Sequence, residues 1–218
     1  MGLKVAEGIV KALEKLGVKI VFGIPGSQTC PLYDAFYSSS IRHVLVRHEQ
    51  MAAYMADAYA KFTGKIGVCD GTGGPGATNL LTGIATAWTD SSPLIAFTGQ
   101  QPLSEIGKGA FQELDHVSIF KPVTKWSTQL VKAERAIETV KEAYRKAMWG
   151  KPGPVHLNLP FDIQIQNLTA DDEHLLEKWP FNLSPPRPLG DSAAIKRATN
   201  LLAASSRPLI ISGGGVHY

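Results

Sequence analysis

The chain is poor in the features that most simply organise a small protein. Among its 218 residues are only two cysteines, Cys30 and Cys69, with neither metal-ligand spacing nor a disulfide framework. Cys69 falls in an apolar run and reads as a small core residue. The net charge is only +3, and the lysines are scattered with no basic run or aromatic–basic interleaving, which argues against a nucleic-acid partner. No uninterrupted apolar run reaches the ~18 residues of a membrane span. The opening Met1-Gly2-Leu3-Lys4-Val5-Ala6-Glu7 has no apolar signal-peptide core, so a cytoplasmic protein without membrane contact is expected. His43, His116 and His156 are scattered and form no metal set.

What the chain does have is a hydrophobic content of 44% with 19% charged residues, the composition of an ordinary soluble domain. Its length fits one full domain plus a remainder, or two small ones. Val5, Ile9, Leu13 and Leu16 recur at helical spacing before Gly17. Short apolar strands are expected at 19–22, 41–46, 66–69, 94–98 and 154–160. Helices are expected between them at 31–37, 51–60, 77–87 and 133–148. Strands that are apolar on both faces and alternate with helices predict an α/β fold, a parallel sheet with helices on both faces. From Gln164 to Gly190 the pattern lapses into acidic residues and prolines, which reads as an extended connector. A helix at 195–204 and a strand at 208–212 before Gly213-Gly214-Gly215 then read as the start of another α/β unit.

Two stretches carry chemistry. In Val46-Arg47-His48-Glu49-Gln50 a strand gives way to a helix. Glu49 is thereby placed at the carboxyl edge of the sheet, where ligands of open α/β folds bind. The plain alternative is that Glu49 complements the helix dipole, a contribution of roughly 0.3–1 kcal/mol. His48 reads as a structural histidine. The loop Gly71-Thr72-Gly73-Gly74-Pro75-Gly76 matches a dinucleotide fingerprint between strand and helix. Against that reading, Pro75 removes a backbone donor, and the next strand ends Phe97-Thr98-Gly99 without an acidic residue for a ribose. No Gly-Lys-Ser/Thr follows, which excludes a phosphate-binding P-loop. A glycine loop for close backbone approach remains, as does a tight turn with nothing bound.

Several motifs occur in order: Phe22-Gly23-Ile24-Pro25-Gly26, the Glu49 stretch, Gly74-Pro75-Gly76-Ala77-Thr78-Asn79, Gly109-Ala110-Phe111-Gln112-Glu113 and Gly150-Lys151-Pro152-Gly153-Pro154-Val155. Together they resemble the amino-terminal, pyrimidine-binding domain of the thiamine diphosphate enzymes, specifically the acetolactate synthase large-subunit group. The resemblance spans about residues 3–165. It implies the thiamine diphosphate-binding fold for 1–165, a linker at 166–190 and the beginning of a truncated central domain at 191–218.

The resemblance also implies site roles. Glu49 would be the carboxylate on the aminopyrimidine ring of thiamine diphosphate, where a group able to hold or share a proton in a dry site promotes proton removal from thiazolium C2. Gly26, Pro75 and Asn79 would lie beside that ring. Phe111 and Gln112 would face the 2-keto acid substrate, the ring shaping the pocket and the amide bonding a reacting oxygen.

The implied reaction is decarboxylation of pyruvate and condensation with a second 2-keto acid, in branched-chain amino acid biosynthesis. Related readings are pyruvate oxidase, sulfoacetaldehyde acetyltransferase, another 2-keto-acid decarboxylase, or a non-catalytic dimerisation or regulatory module. The family holds the diphosphate through Mg²⁺, with a Gly-Asp-Gly motif and a later asparagine in a carboxyl-terminal domain. Cys69-Asp70-Gly71 lacks the first glycine of that motif. The chain is therefore expected to carry half a site, inactive alone, completed by a partner subunit in a homodimer or higher oligomer. Ser27, Gly73 and Lys151 depart from the family pattern. Lys151 stands where flavin-containing members have an arginine, which leaves FAD open.

Overall fold

Apolar strands with nothing polar to offer either face must be covered twice, and the chain does this with helices on both sides. The structure, a computed structural model, describes residues 2–178 and 188–216. Six parallel strands form one sheet in the order β2-β1-β3-β4-β6-β5. They are β1 (Ile20–Gly23), β2 (Arg42–Leu45), β3 (Gly67–Gly71), β4 (Leu94–Gln100), β5 (Trp126–Gln129) and β6 (Pro154–Pro160). In β4 and β6 every residue is buried, as expected for central strands.

Side chains alternate along each strand and so divide the core in two. On one face Val21, Val68, Ile95, Phe97, Val155 and Leu157 pack beneath α1 (Val5–Lys15), α2 (Cys30–Tyr37) and α6 (Ala136–Met148). On the other, Phe22, Cys69, Leu94 and Ala96 pack beneath α3 (Glu49–Thr63), α4 (Pro75–Asp90) and α5 (His116–Phe120). The alanines of α3 allow close packing: a Cβ on Gly83 of α4 would lie 2.5 Å from Ala53 Cβ. The left-handed Gly64, with φ 67°, ends α3.

The helix after β1 covers one face and the helix after β3 covers the other. The carboxyl ends of these adjacent strands are therefore the topological switch point, where a crevice opens. Both α3 and α4 begin at this edge.

The structure corrects several expectations. The strand entering Glu49 is not buried: β2 is the sheet's edge, with Leu45 59% exposed, because it has a ladder partner on one side only. Residues 165–178 are not extended. Val5 N–H donates to Gln166 O (2.9 Å) and Leu168 N–H to Leu3 O (2.7 Å). A helix α8 (Ala170–Lys178), preceded by the short α7 (Phe161–Gln164), buries Leu176 in the same core as α1 and α6. Two well-placed leucines, Leu168 and Leu176, suffice to dock an otherwise polar segment. The rest of the expected connector, 179–187, lies outside the described residues. The helix at 195–204 exists as α9 (Ser192–Ala204), capped by Asp191, but buries no residue. The expected strand at 208–212 is absent: Leu209, Ile210 and Ile211 are exposed and join no ladder among the described residues. Two elements not foreseen, α5 and the polar edge strand β5, close the sheet beside β6.

Candidate functional site

Glu49 is the first residue of α3, held there by His48, whose Nδ1 accepts the Gln50 amide (3.2 Å) at the N-cap. Its carboxylate is half-buried. Asn79, one turn into α4, donates Nδ2–H to Glu49 Oε2 (2.9 Å). Glu49 Oε1 has no hydrogen bond among the described residues and faces Gly76, where a Cβ would lie 3.4 Å away. Two helix amino termini thus converge on one carboxylate.

The glycine loop supplies the floor. Gly26 begins a 3₁₀ turn at Ser27–Thr29 and packs so tightly on the loop that a Cβ there would lie 2.3 Å from Thr72 Cβ. The Thr72 hydroxyl donates to Gln28 Oε1. Pro75 occupies the first position of α4, where its missing N–H costs nothing, and is exposed. Gln112 sits over the loop, its carbonyl oxygen 2.8 Å from where a Gly74 Cβ would be. Gln112 has φ 61°, a left-handed backbone that side chains rarely adopt. Phe111 is 74% exposed, and its carbonyl accepts from Gln101 Nε2 (2.5 Å). Glu49, Asn79, Gly26, Pro75 and Gln112 therefore gather about one loop, while the Phe111 ring stands off in solvent.

Composition and spacing did not single out a second carboxyl in the crevice. Asp70, at the end of β3, is fully buried over Gly23, and Tyr33 of α2 donates its hydroxyl to Asp70 Oδ1 (2.8 Å). Asp70 Oδ2 is buried without a hydrogen bond. Burial pushes the Asp70 carboxyl up to about 8; the Tyr33 bond opposes this and the Glu49 charge adds to it. At neutral pH Asp70 thus holds its proton. Burial, then the neighbouring Asp70, also raises Tyr33. An acidic residue in an otherwise apolar strand was the available signal.

Nor are His116 and His156 scattered once the chain folds: both meet Thr98 of β4. His116 Nδ1 lies 3.0 Å from Asn158 Oδ1, and His156 Nε2 lies 2.8 Å from Thr98 Oγ1. Burial lowers both histidines, His156 well below its usual range, so both rings are neutral at neutral pH. His156 stacks on Phe120 at 4.0 Å. The alternation of His156 and Asn158 with Leu157 and Leu159 along β6 was the signal for this polar stripe.

Among the described residues no group of three or more His, Cys, Asp and Glu is arranged to hold a metal ion, and no helix is long and apolar enough to cross a membrane.

Comparison with known proteins places this geometry in context. The thiamine pyrophosphate enzyme N-terminal TPP binding domain matches residues 3–119. The chain is 50% identical to a protein named probable acetolactate synthase large subunit from Methanocaldococcus jannaschii, across 98% of this chain and 36% of that protein. It is 42% identical to the acetolactate synthase large subunit of Lactococcus lactis, across 96% of this chain and 36% of the relative. It is 44% identical to the isozyme 3 large subunit of Escherichia coli, across 96% and 37%. The chain thus spans about a third of the length of the curated relatives it matches.

Proposed function

The chain belongs to the thiamine pyrophosphate enzymes through their N-terminal cofactor-binding domain, and from that premise we propose that it is the pyrimidine-binding part of an acetolactate synthase-like transferase. One observation carries this reading: Asn79 ties down Glu49 Oε2 and leaves Oε1 open at the switch-point crevice. A carboxylate so fixed suits a ring nitrogen that must be bonded in one direction. Gly26 and Gly76 remove the side chains that would crowd the approach to Thr72 and Glu49. The residues present therefore fit the pyrimidine half of the cofactor.

When bound, thiamine diphosphate supplies the carbanion chemistry for decarboxylating one 2-keto acid and joining it to another. The chain's own work is narrower. Glu49 holds or shares a proton at Oε1, and Asn79 fixes the plane of its carboxylate. Pro75 and Gly26 flank the ring, and the Gln112 amide, with Phe111 at the rim, serves the substrate side.

Among the described residues no metal set is offered; in this reading Mg²⁺ and the diphosphate are held by a diphosphate-binding domain of a partner subunit in a dimer or higher oligomer. In this reading residues 1–165 are the pyrimidine domain, 166–190 a linker and 191–218 the beginning of a central domain, in a cytoplasmic biosynthetic enzyme using pyruvate. Lys151 presents a point charge over the Trp88 ring, not the planar fork of an arginine, which leaves FAD open in this reading.

The test is Glu49→Gln in the complete polypeptide, assayed for acetolactate formation from pyruvate. A fall of about 10²–10⁴-fold in kcat is expected from loss of the acid–base group. Unchanged turnover would remove the assignment.

A further inference from the structure

A loop with four glycines in six residues, 71 to 76, is costly to hold in one conformation. Gly74 makes the cost plain: at φ 59° and ψ −110° its backbone lies in a region open to glycine alone. The helix it introduces has no side-chain cap. Among the described residues, one side chain from outside α4 hydrogen-bonds the backbone of this loop. It is His116, whose Nε2 accepts the Gly74 N–H at 3.1 Å.

The bond fixes the His116 tautomer. A backbone amide can only donate, so Nε2 is unprotonated and the ring proton sits on Nδ1. Nδ1–H donates to Asn158 Oδ1 (3.0 Å), and Asn158 Nδ2–H donates to Gln129 Oε1 (2.8 Å). The Thr98 hydroxyl lies 2.8 Å from His156 Nε2 and 3.1 Å from Asn158 Oδ1, with one proton to give. With that proton on His156 Nε2, the His156 Nδ1–H donates to Ser127 Oγ (2.8 Å). The Ser127 hydroxyl then donates to Val117 O (3.0 Å). Strands β4, β5 and β6 together thus orient one imidazole, and that imidazole holds one glycine amide. His116 touches neither Glu49 nor Asn79 by hydrogen bond, so it acts through the loop.

We propose that His116 is a positioning residue that locks Gly74 and, through the first turn of α4, sets Pro75 and Asn79 against Glu49. The proposal deepens the pyrimidine-site reading and rests on it for its functional meaning. A buried histidine that merely filled space would need no particular tautomer and would not protect a loop amide.

The experiment is hydrogen exchange of the Gly74 amide by NMR in this chain, with the ¹⁵N tautomer pattern of His116 in the same sample. In the unsubstituted protein Gly74 is protected and His116 shows a protonated Nδ1 with a bare Nε2. His116→Gln places an amide oxygen where Nε2 was and keeps Gly74 protection within about threefold. His116→Asn places its amide where Nδ1 was, misses Gly74, and exchanges it at least tenfold faster at a comparable melting temperature. A proton on Nε2 in the unsubstituted protein, or equal Gly74 exchange in the two variants, overturns the proposal. Should neither variant fold, the tautomer and protection of the unsubstituted chain still decide it. The pyrimidine reading stands or falls separately, on Glu49→Gln in the complete enzyme.

Discussion

At the β1–β3 crevice the Glu49 carboxylate has one oxygen bonded and one open, whereas in the His116–Asn158–His156 cluster every ring nitrogen is paired. The first region is half-exposed and built from two helix amino termini. The second has its histidines, Thr98 and Asn158 buried and is built from three strands and the first residue of α5. An unmade hydrogen bond can be afforded where water or a ligand replaces it, and costs the desolvation of the group where neither can. Spare capacity thus marks the place for a ligand, and full pairing marks the scaffold that aims it. Asp70 lies between these extremes: it is as buried as the scaffold yet leaves Oδ2 unpaired, and it manages this by staying neutral.

The contrast can be broken most forcefully from the scaffold side. His156→Ala should destabilise the chain by about 3–5 kcal/mol, because it opens a cavity against Phe120 and strands Thr98 and Ser127. Chemical denaturation measures this, and a loss under ~1 kcal/mol would mean the cluster is not a scaffold.

Asp70→Asn tests the intermediate case. A folded carboxyl raised to about 8 binds a proton that the unfolded chain has already released, so stability falls as pH rises from about 4 to about 8. The amide is free of that penalty. The variant should match the parent near pH 4 and exceed it above pH 8, by on the order of 2–5 kcal/mol. Parallel pH–stability curves would show that Asp70 is ionised at neutral pH.

The histidines carry the opposite sign. Both are lowered by burial, so below about pH 6.5 the unfolded chain takes up protons before the folded one. Stability should therefore fall as the solution is acidified from 6.5, and His116→Gln should flatten part of that slope. Thermal melts between pH 5 and 7 would show it.

The smallest stability effect belongs to the site. Asn79→Ala, which removes one half-exposed hydrogen bond, should change stability by under ~1 kcal/mol. It should nevertheless weaken thiamine diphosphate binding in the complete enzyme. A large loss of stability with cofactor affinity intact would erase the distinction between the two regions.

Much of the fold was legible because apolar runs and glycines repeat the same message. Residues 94–98, within β4, and Pro154–Pro160 read as apolar strands from the sequence, and Gly17 and Gly64 mark helix ends. Trp126–Gln129 was not legible, since an edge strand of Trp, Ser, Thr and Gln shows no apolar alternation. The docked segment 165–178 was missed because its anchors, Leu168 and Leu176, match cavities supplied by α1 and α6, not any local period. At the site, Glu49 and the glycine loop were visible as local motifs. Tyr33 and Asp70, 37 positions apart, and Thr98 and His156, 58 apart, carry no local mark of their pairing.

The sequence by itself determined the alternation of strand and helix, the parallel sheet and the position of Glu49 at a strand–helix junction. Those follow from periodicity and turn chemistry, which act over a few residues. Only the tertiary structure decided that Asn79 would hold one oxygen of Glu49 and leave the other open. It alone decided that Asp70 would be buried, with its carboxyl pushed up by that burial, and that His116 would face Gly74. Hydrogen-bond direction and desolvation depend on which distant groups share a few ångströms, and strand order and helix placement settle that.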